Sequence, residues 1–231
     1  IQEPGVAYDH AGTATAAIVA GGNNFTLPGP SAKTVYVETW NGSSWTEVGD
    51  INTHVENGAA TGGSSAAIAF GGNDGTATTA KNESWDGSSW TEVGDLNTAR
   101  KSLAGFGTST AAIGAAGDGV KDEVESWNGT AWTEIADVNT AREKPSGTGT
   151  NTAGLIFGGT TPPNTQRNLT EVWNGTSWSE DGDLNTAREN HGGSQTSSTA
   201  GLAWAGAAPG LSAATEEWTT PTTSTVDFDV S

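Results

Sequence analysis

The feature that most constrains the fold of this chain is an internal repeat. Tryptophans recur along its 231 residues at spacings of 45, 42, 46 and 45 residues. These are Trp40, Trp85, Trp127, Trp173 and Trp218. A period of this length predicts an array of small supersecondary units, each of which buries its apolar faces on its neighbours.

The sequence around each of these tryptophans is repeated as well. A second Trp follows five residues later in the first four copies, and residues 88–100 and 176–188 agree at ten of thirteen positions. The four copies read ETWNGSSWTEVGDINT, ESWDGSSWTEVGDLNTAR, ESWNGTAWTEIADVNTAR and EVWNGTSWSEDGDLNTAR. In a fifth, degenerate copy, EEWTTPTTSTVDFDV, the second Trp is replaced. The chain therefore contains five repeats.

Each repeat contains four short strand signals separated by turns. The first strand is small and Gly-rich, the second is an apolar run such as AAIVAGG or AAIAFGG, and the third ends at the first Trp. An NGSS-like turn leads into the fourth strand, because Asn-Gly and Asp-Gly tolerate the positive φ of tight hairpins. Both available registers place Trp40 and Trp45 on the same sheet face, paired directly or diagonally.

Four antiparallel strands in each repeat predict an all-β fold, namely a five-bladed β-propeller of four-stranded antiparallel blades. The chain is then a single domain with blades at approximately residues 1–49, 50–94, 95–136, 137–182 and 183–231. Each blade is one continuous segment, so blade 5 meets blade 1 by face packing alone or Ile1–Gly5 supplies a latch. An open arc continued by further blades is the alternative to a closed ring.

The apolar run with its double Gly and the downstream Trp resemble the kelch repeat, and the resemblance extends from Val6 to Val230. The paired Trp and the NTAR connection depart from the common kelch sequence. In this form the repeats are similar to the kelch-like repeats of exterior proteins from marine bacteriophages and bacteria. The resemblance implies a β-propeller, and its link to viruses concerns source more than activity.

The aromatic and basic residues of the repeat are expected to stabilise the fold. With a hydrophobic content of only 33%, the chain needs the paired tryptophans as core, wedged against the adjacent blade. Trp204 lies outside the Trp pattern, where Phe70 and Phe157 lie in other blades, and it is also expected in the core. Three arginines precede the innermost strands, and we expect them to bind a Glu or backbone carbonyls as a connection between blades: Arg100, Arg142 and Arg188.

Charge and composition exclude several classes of partner. Asp and Glu number 27 against 9 Lys and Arg, for a net charge of −18, so nucleic acid and anionic membrane surfaces would be repelled. No apolar stretch approaches the roughly 20 residues that span a bilayer, and without Cys there is no disulfide or thiolate metal site. The chain begins with Ile and contains no Met, which favours a processed chain or a piece of a longer one.

A recurring D-x-N-T motif lies between the fourth strand of one blade and the first strand of the next, on the face that also carries loops of unequal length. Asp and Asn cap their own backbone in turns, which is the structural interpretation. The functional interpretation is a ring of acceptors for sugar hydroxyls or for Ca²⁺. The candidate binding residues are Asp50, Asn52, Asp95, Asn97, Asp137, Asn139, Asp183 and Asn185.

A catalytic alternative requires carboxylates near the propeller axis, as in glycosidases that place acidic residues from different blades at the channel mouth. The candidates near the starts of the first strands are Asp9, Glu56, Glu143 and Glu189. Glu143 and Glu189 each directly follow an arginine of the repeat, and Glu56 follows Val55 at the equivalent position. This regular placement favours a role in which they neutralise the charge of the arginines. His10 and His191 can face the same rim, and we expect them to be ordinary polar residues. No distinctive, non-repeated acidic motif is evident.

The sequence therefore favours a non-catalytic exterior module for adhesion or receptor recognition. Its partner would be a glycan or surface receptor, contacted through the face of the unequal loops. Neighbouring domains or subunits of a larger virion or secreted assembly are also expected, which places the protein outside the cell or on a virion surface. No cofactor is required, although Ca²⁺ is compatible with the acidic loops. The alternatives are a structural decoration domain without a ligand and a glycosidase that uses the axial carboxylates.

Overall fold

A computed structural model of the chain describes residues 9–24, 32–194, 197–208 and 210–219. The regular secondary structure within these ranges is entirely β, and they include no helix that could cross a membrane. The strands of blade 1 and of its inserted loop are β1 (Asp9–Thr13), β2 (Ala16–Ala20), β3 (Asn23–Asn24), β4 (Ala32–Lys33), β5 (Val37–Trp40) and β6 (Trp45–Glu47). Blade 2 consists of β7 (Ala59–Gly63), β8 (Ala66–Phe70), β9 (Asn82–Trp85) and β10 (Trp90–Glu92).

The later blades follow the same plan. Blade 3 consists of β11 (Ala104–Thr108), β12 (Ala111–Ala115), β13 (Val124–Trp127) and β14 (Trp132–Ile135). Blade 4 and its loop hairpin comprise β15 (Ser146–Thr150), β16 (Ala153–Phe157), β17 (Thr160–Thr161), β18 (Thr165–Gln166), β19 (Thr170–Trp173) and β20 (Trp178–Asp181). Blade 5 has β21 (Gly192–Gly193), β22 (Ala200–Trp204) and β23 (Thr215–Thr219). The fourth strand predicted for blade 5 lies outside the described residues.

The sheet topology confirms the five-bladed β-propeller. Blades 1 to 4 are antiparallel four-stranded meanders, and blade 5 has the order β21-β22-β23 in its described part. The hairpins β3-β4 and β17-β18 are separate two-stranded insertions between the second and third strands of their blades. The first strands of successive blades contact one another around the axis, from β1 through β7, β11 and β15 to β21. Each blade is one continuous segment, as the repeat phase predicted, and the proposed latch at Ile1–Gly5 lies outside the described residues.

The turn before the fourth strand shows why its sequence recurs. In blade 2 the Asp86 carboxylate accepts hydrogen bonds from the backbone N–H of Ser88 at 2.8 Å and of Ser89 at 2.9 Å. Gly87 between them has a φ of +97°, which a residue with a Cβ rarely adopts. Hydrogen bonds from the Ser88 hydroxyl and from these two backbone groups lower the pKa of Asp86 to about 2. The repeated turn is therefore specified by local backbone geometry.

The paired tryptophans form the packing between blades, as predicted. The two indoles of each pair are direct cross-strand neighbours, with ring centroids 5.2–5.6 Å apart. Trp127 also donates a hydrogen bond to the carbonyl of Ser109 at the first hairpin turn of its blade. Trp127 and Trp132 of blade 3 pack with Ile68 and Phe70 of blade 2 in one buried cluster. The same relation joins the other consecutive blades of the described array.

The prediction that Trp204 lies in the core is wrong. Trp204 is 37% exposed and Leu202 is 39% exposed, whereas Phe70 and Ile68 at the same positions of blade 2 are 1% and 0% exposed. Phe70 is covered by Trp132 of the following blade, with ring centroids 4.7 Å apart. Blade 1 follows blade 5 in the ring, and its indoles Trp40 and Trp45 are only half-buried. The described residues of this junction therefore cover Trp204 only in part.

The tightly packed junction between blades 2 and 3 and the more open junction between blades 5 and 1 can be compared by mutation. Trp132→Ala is expected to lower the free energy of unfolding by about 3 kcal/mol, which is at the lower end of the losses seen when a buried aromatic side chain is replaced by Ala. The lower end applies because the indole N–H of Trp132 is buried without a hydrogen-bond partner in the described part of the chain, so that its removal also relieves the cost of an unpaired donor. Urea denaturation gives the measurement, and Trp45→Ala, the same truncation at a half-buried position, is expected to cost less. Equal losses would mean that the blade 5 to blade 1 junction is as tightly packed as the others.

Candidate functional site

The asparagines of the D-x-N-T motif bind a glutamate of the blade that follows. Asn97 donates from its backbone N–H and from its side-chain amide to the same Glu125 oxygen, at 2.7 and 2.8 Å. The backbone N–H of Thr98 donates to the other Glu125 oxygen at 3.3 Å. Equivalent bonds join Asn52 to Glu83, Asn139 to Glu171 and, through the backbone alone, Asn185 to Glu216. The motif thus organises the entry into blades 2 to 5.

The aspartates of the motif have comparable local roles where their contacts are defined. Asp95 accepts a hydrogen bond from the backbone N–H of Asn82 at 3.2 Å, and Asp183 accepts one from Thr170 at 3.1 Å. Asp50 and Asp137 lie at the same exposed positions of the connectors. None of the eight motif residues lines the axial cavity described below. These observations support the structural interpretation of the motif.

The three arginines bind glutamate and backbone carbonyls as predicted, but within one blade. Arg100 precedes blade 3, and its guanidinium is 2.8 Å from a carboxylate oxygen of Glu125 in the third strand of that blade. It also donates to the Glu123 carbonyl at 2.6 Å. The pairs Arg142–Glu171 and Arg188–Glu216 repeat this arrangement in blades 4 and 5. The prediction that these side chains connect two blades was wrong. The connection runs through the arginine backbone instead, since the carbonyl of Arg100 accepts a hydrogen bond from the backbone N–H of Gly72 in blade 2 at 2.7 Å.

A cavity of about 470 Å³ opens at the axis where the first strands begin, and all five blades line it. Its volume is within the range of roughly 300–1,000 Å³ that is usual for small-molecule sites. The rim carries one residue from each of four connectors, all with a left-handed backbone: Asn57, Ser102, Lys144 and Asn190. Backbone hydrogen bonds link neighbouring connectors, from the Ser102 N–H to the Asn57 carbonyl at 2.6 Å and from Lys144 to Ser102 at 2.8 Å.

Blade 1 departs from the repeat inside this cavity. The strand register places Asp9 at the position that Ala59, Ala104, Ser146 and Gly192 hold in the other blades. The next position holds His10 in blade 1 and Ala60, Gly105, Gly147 or Gly193 elsewhere. An acid and an imidazole thus replace small residues at the axis, where the repeat itself does not require them.

Asp9 is the most perturbed acid of the cavity. Its side chain is 3% exposed, and neither carboxylate oxygen has a hydrogen-bond partner among the described residues. Burial raises the pKa of Asp9 to about 8, and the nearby backbone N–H of Gly58, outside hydrogen-bonding geometry, offsets only part of that rise. At neutral pH the side chain is therefore mostly a neutral acid, which can donate as well as accept a hydrogen bond.

His191 contributes a second buried group to the wall. Its imidazole packs against Phe157, with ring centroids 5.4 Å apart, and neither ring nitrogen has a partner among the described residues. Burial lowers the pKa of His191 to about 4, assisted by the positive charge of Arg188 and opposed by Glu216. The ring is neutral at physiological pH, with one nitrogen that donates and one that accepts.

Of the four carboxylates predicted near the axis, the structure places only Asp9 in the cavity wall. Glu189 is bound by the ammonium of Lys144 at 2.7 Å, and Glu143 accepts from the Thr160 hydroxyl at 3.3 Å. Glu56 forms a backbone bridge with Asn73 in the second-to-third strand loop of its blade. Within the described ranges, no group of three or more His, Asp or Glu side chains is arranged to hold a metal ion.

The sequence contains a signal for this site in its departures from the repeat. The expectation that Asp9 is one of four similar acids, and that His10 and His191 are ordinary polar residues, does not use that signal. When the first strands are compared position by position, Asp9 and His10 stand where the other repeats have small residues, and His191 stands where blade 3 has Leu103. Departures from the repeat, rather than the repeated residues, indicate the cavity.

Comparison with known proteins supports the fold. No protein-family model matches the chain, and no curated protein matches it in sequence. A solved structure titled "Structure of YjhT" superimposes with a TM-score of 0.79 at 13% identity, and the match covers 95% of this chain and 83% of that one. At this identity the likeness shows the β-propeller fold alone.

Proposed function

We propose that this propeller is a non-catalytic binding domain that takes the end of a glycan in its axial cavity. The observation that carries the proposal is Asp9, which is buried in the cavity wall and whose two carboxylate oxygens have no hydrogen-bond partner among the described residues. A buried polar group without a partner costs about 1–3 kcal/mol, so a structure that retains one at a cavity wall gains when a ligand pairs with it. Asp9 also stands where the repeat elsewhere has small residues, which separates it from the structural pattern.

The chemistry of the lining suits a ligand with many hydroxyl groups. Neutral Asp9, neutral His191 and the rim amides of Asn57 and Asn190 each offer both donors and acceptors. A sugar hydroxyl likewise donates one hydrogen bond and accepts others, so it can match such groups without carrying a charge. The rim is formed by connectors of unequal sequence, which is the usual place for recognition on a regular scaffold.

Binding is favoured over hydrolysis by the number of carboxylates. Glycosidases generally use two, one as acid and one as base or nucleophile, separated by about 5–10 Å. Among the described residues that line the cavity, Asp9 is the single carboxylate. A glycosidase mechanism would therefore need an acid from elsewhere, and release of free sugar from bound glycans would show that it has one.

The setting of this domain is proposed from the sequence. The net charge of −18 and the kelch-like character of the repeats favour an exterior protein of a phage or bacterium, acting in adhesion within a larger assembly. Its partners would then be a surface glycan and neighbouring domains or subunits. Attachment of the isolated chain to host cells, and loss of attachment after enzymatic removal of surface glycans, would test this part.

A glycan array probed with the 231-residue chain, once with Ca²⁺ and once with a chelator, tests the binding proposal directly. We expect reproducible binding to a related set of glycans, retained in chelator because the cavity offers hydrogen-bonding groups rather than a cluster of metal ligands. Loss of binding in chelator would indicate that the site is metal-dependent and lies at the acidic connectors instead. A blank array would favour a structural decoration domain.

Two substitutions at Asp9 separate its role in the ligand site from its role in folding. Asp9→Ala is expected to weaken glycan binding at pH 7 at least about tenfold, the effect of one lost hydrogen bond to a buried partner. The variant should fold, since Ala holds the same position in blades 2 and 3. Asp9→Asn keeps a donor and an acceptor and is expected to retain binding. Asp50→Ala on the exposed connector is the control, and if it rather than Asp9→Ala abolished binding, the D-x-N-T motif would be the site.

A further inference from the structure

One face of blade 5 is largely uncovered within the described residues. It consists of alternate residues of β22 and β23, all of them exposed: Ala200, Leu202, Trp204, Thr215, Glu217 and Thr219. The other face packs on blade 4, where Ala203 shares a buried cluster with Leu155 and Phe157. The uncovered face is therefore the one directed away from blade 4 and toward blade 1. Its two large apolar side chains, Leu202 and Trp204, mark a place where a further segment packs.

In the other blades, an aliphatic residue of the following connector lies on this face. These residues stand eight positions before the strand that the connector enters, and they are 2–7% exposed: Ile51, Leu96, Val138 and Leu184. Leu96 shares one buried cluster with Ile68 and Phe70 of the second strand of blade 2. The other three connectors have the same relation to blades 1, 3 and 4. Each connector thus covers the blade that it leaves.

Ile1 stands in phase with these four aliphatic residues. It lies eight positions before Asp9, where β1 begins, so it is the counterpart of Leu96 for the junction between blade 5 and blade 1. The strand register gives Leu202 and Trp204 the positions in blade 5 that the residues packed on Leu96 hold in blade 2. The repeat therefore pairs Ile1 with the two exposed apolar side chains.

We infer that residues 1–8 form the connector of the junction between blade 5 and blade 1, and that they lie on the uncovered face of blade 5 with Ile1 packed against Leu202 and Trp204. Closure of the ring then needs no exchanged strand, because the segment before β1 does what the other connectors do. This inference is independent of the proposed glycan binding. It also assigns Ala7 to the rim of the axial cavity, since each of the other connectors contributes the residue at that position.

A polar contact of the repeat extends to the same segment. In blade 3, Glu125 accepts hydrogen bonds from the backbone and side chain of Asn97 in the connector. Glu38 holds the Glu125 position in blade 1 and is 4% exposed, and a carboxylate this buried requires hydrogen-bond donors. Gln2 holds the Asn97 position and keeps its side-chain amide. In the repeat register, Gln2 is therefore the residue that binds Glu38.

A second contact involves the backbone N–H that follows the second strand. Gly72 donates to the carbonyl of Arg100 in the next connector at 2.7 Å, and the same bond recurs after blades 1, 3 and 4 at 2.8–3.0 Å. Gly206 holds the Gly72 position in blade 5, and Gly5 holds the Arg100 position before blade 1. The carbonyl of Gly5 is therefore the expected acceptor for the N–H of Gly206.

The covalent tether favours this segment over a second copy of the chain as the occupant of the face. Ile1 is joined to β1 through residues 2–8, so its docking costs only the ordering of a short segment. A second copy must in addition lose its translational and rotational freedom. Burial of the isoleucine against Leu202 and Trp204 removes apolar surface of both partners from water, which offsets the cost of ordering.

Because the sequence contains no cysteine, an engineered disulfide tests this placement directly. A Cβ at Gly21, the counterpart of Ala205 in blade 1, would lie 3.4 Å from Cγ2 of Val55, the counterpart of Gly5, so side chains at these two positions reach each other. The full chain with Gly5→Cys and Ala205→Cys is oxidised with glutathione disulfide. We expect most of it to form an intrachain disulfide, detected by mass after alkylation of free thiols. Gly5→Cys with Ala66→Cys, at an exposed position of β8 at the other end of its blade, is the control and should form little.

Three outcomes would overturn the inference. Equal disulfide yields in the two double variants would mean that the segment meets both positions by random collision. A disulfide between chains, in a mixture of the two single variants Gly5→Cys and Ala205→Cys, would assign the face to a second copy. No disulfide in a folded double variant would leave the face to residues 220–231 or to another protein. Circular dichroism of each variant confirms that it is folded.

A substitution without cysteine tests the apolar contact. Ile1→Ser is expected to lower the Tm by about 5 °C, because the junction loses a buried aliphatic side chain. Leu211→Ser is a similar change at a side chain that is 100% exposed, and it should shift the Tm by less than about 2 °C. Thermal denaturation of both variants gives the comparison. Equal Tm values would mean that Ile1 is not buried, and the docking of residues 1–8 on blade 5 would be wrong.

Discussion

Between pH 5 and pH 9, the wild-type chain is expected to lose about 4 kcal/mol more unfolding free energy than its Asp9→Asn variant. The cause is the buried acid at the axial cavity, whose pKa is raised from 3.8 to about 8 by burial. One pKa unit corresponds to about 1.4 kcal/mol, and about three of them fall inside this pH interval. Asparagine has nearly the same shape and carries no charge at any of these pH values.

The sign follows from which state holds the proton. Below pH 3.8 the folded and unfolded chains both carry a protonated Asp9, and its contribution is complete. As the pH rises, the unfolded chain releases the proton while the folded chain keeps it until about pH 8, so the unfolded state is progressively favoured. His191 acts in the opposite range, because its lowered pKa reduces stability as the pH falls from 6.5 through about 4. Both chains contain His191, so its effect cancels in the comparison.

Urea denaturation at pH 5, 7 and 9 gives the measurement, and Asp50→Asn at an exposed connector provides the control for removing one acidic charge. The free energy of unfolding of the control is expected to change with pH in the same way as that of the wild-type chain. If the free energy of Asp9→Asn also changed in that way, Asp9 would be ionised at neutral pH. The cavity would then hold an anion that cannot donate a hydrogen bond, and the proposed role of Asp9 in ligand binding would change accordingly.

Glu171→Gln is expected to lower the free energy of unfolding by about 4 kcal/mol. Both Glu171 and its partner Arg142 are 0% exposed, and removing one charge of a buried pair leaves the other without compensation. Burial already lowers the pKa of Arg142, and the negative charge of Glu171 opposes that effect. The carboxylate also accepts from the backbone N–H groups of Asn139 and Thr140 and from the side-chain amide of Asn139. With the guanidinium of Arg142 these are four donors, and a glutamine offers them only one acceptor oxygen.

Glu180→Gln is the matched control, because Glu180 lies directly across the strand pair from Glu171 and is exposed. It is expected to change the free energy of unfolding by less than about 0.5 kcal/mol. Denaturation of the two variants under the same conditions gives the comparison. A loss below about 1 kcal/mol for Glu171→Gln would mean that the connector holds without the ion pair. Blade 2 is a precedent, because Val55 replaces the arginine there and Glu83 accepts hydrogen bonds from Asn52 and Thr53.

The sequence predicted the parts of this protein that local chemistry decides. The spacing of Trp40, Trp85 and their successors predicted the number of blades, since each blade must bury its faces on similar neighbours. The NGSS-like turns predicted the outer hairpins, because few residues adopt the backbone that such turns require. Asp and Asn of the connectors were expected to cap their own turns. In the structure, Asn97 instead donates to Glu125 of the blade that follows, and Asp95 accepts from the backbone N–H of Asn82 in the blade that precedes it.

The sequence alone did not determine contacts that depend on how distant segments meet. It predicted an acidic or carbonyl partner for Arg100, Arg142 and Arg188, but placed that partner in a different blade. It also placed Trp204 in the core by its position in the repeat. Whether a repeated position is buried depends on the particular blade that follows it, and the blade 5 to blade 1 junction differs from the other four.

Sequence by itself thus determined the repeat, the five blades and the local turns, since these depend on residues close together in the chain or on identical neighbours. The tertiary structure alone decided the axial cavity, because it brings Asp9, His10 and His191 together with segments from all five blades. Burial at that point keeps Asp9 protonated and His191 neutral at physiological pH. Their electrostatic surroundings arise from the packing of neighbouring blades, which no single repeat encodes.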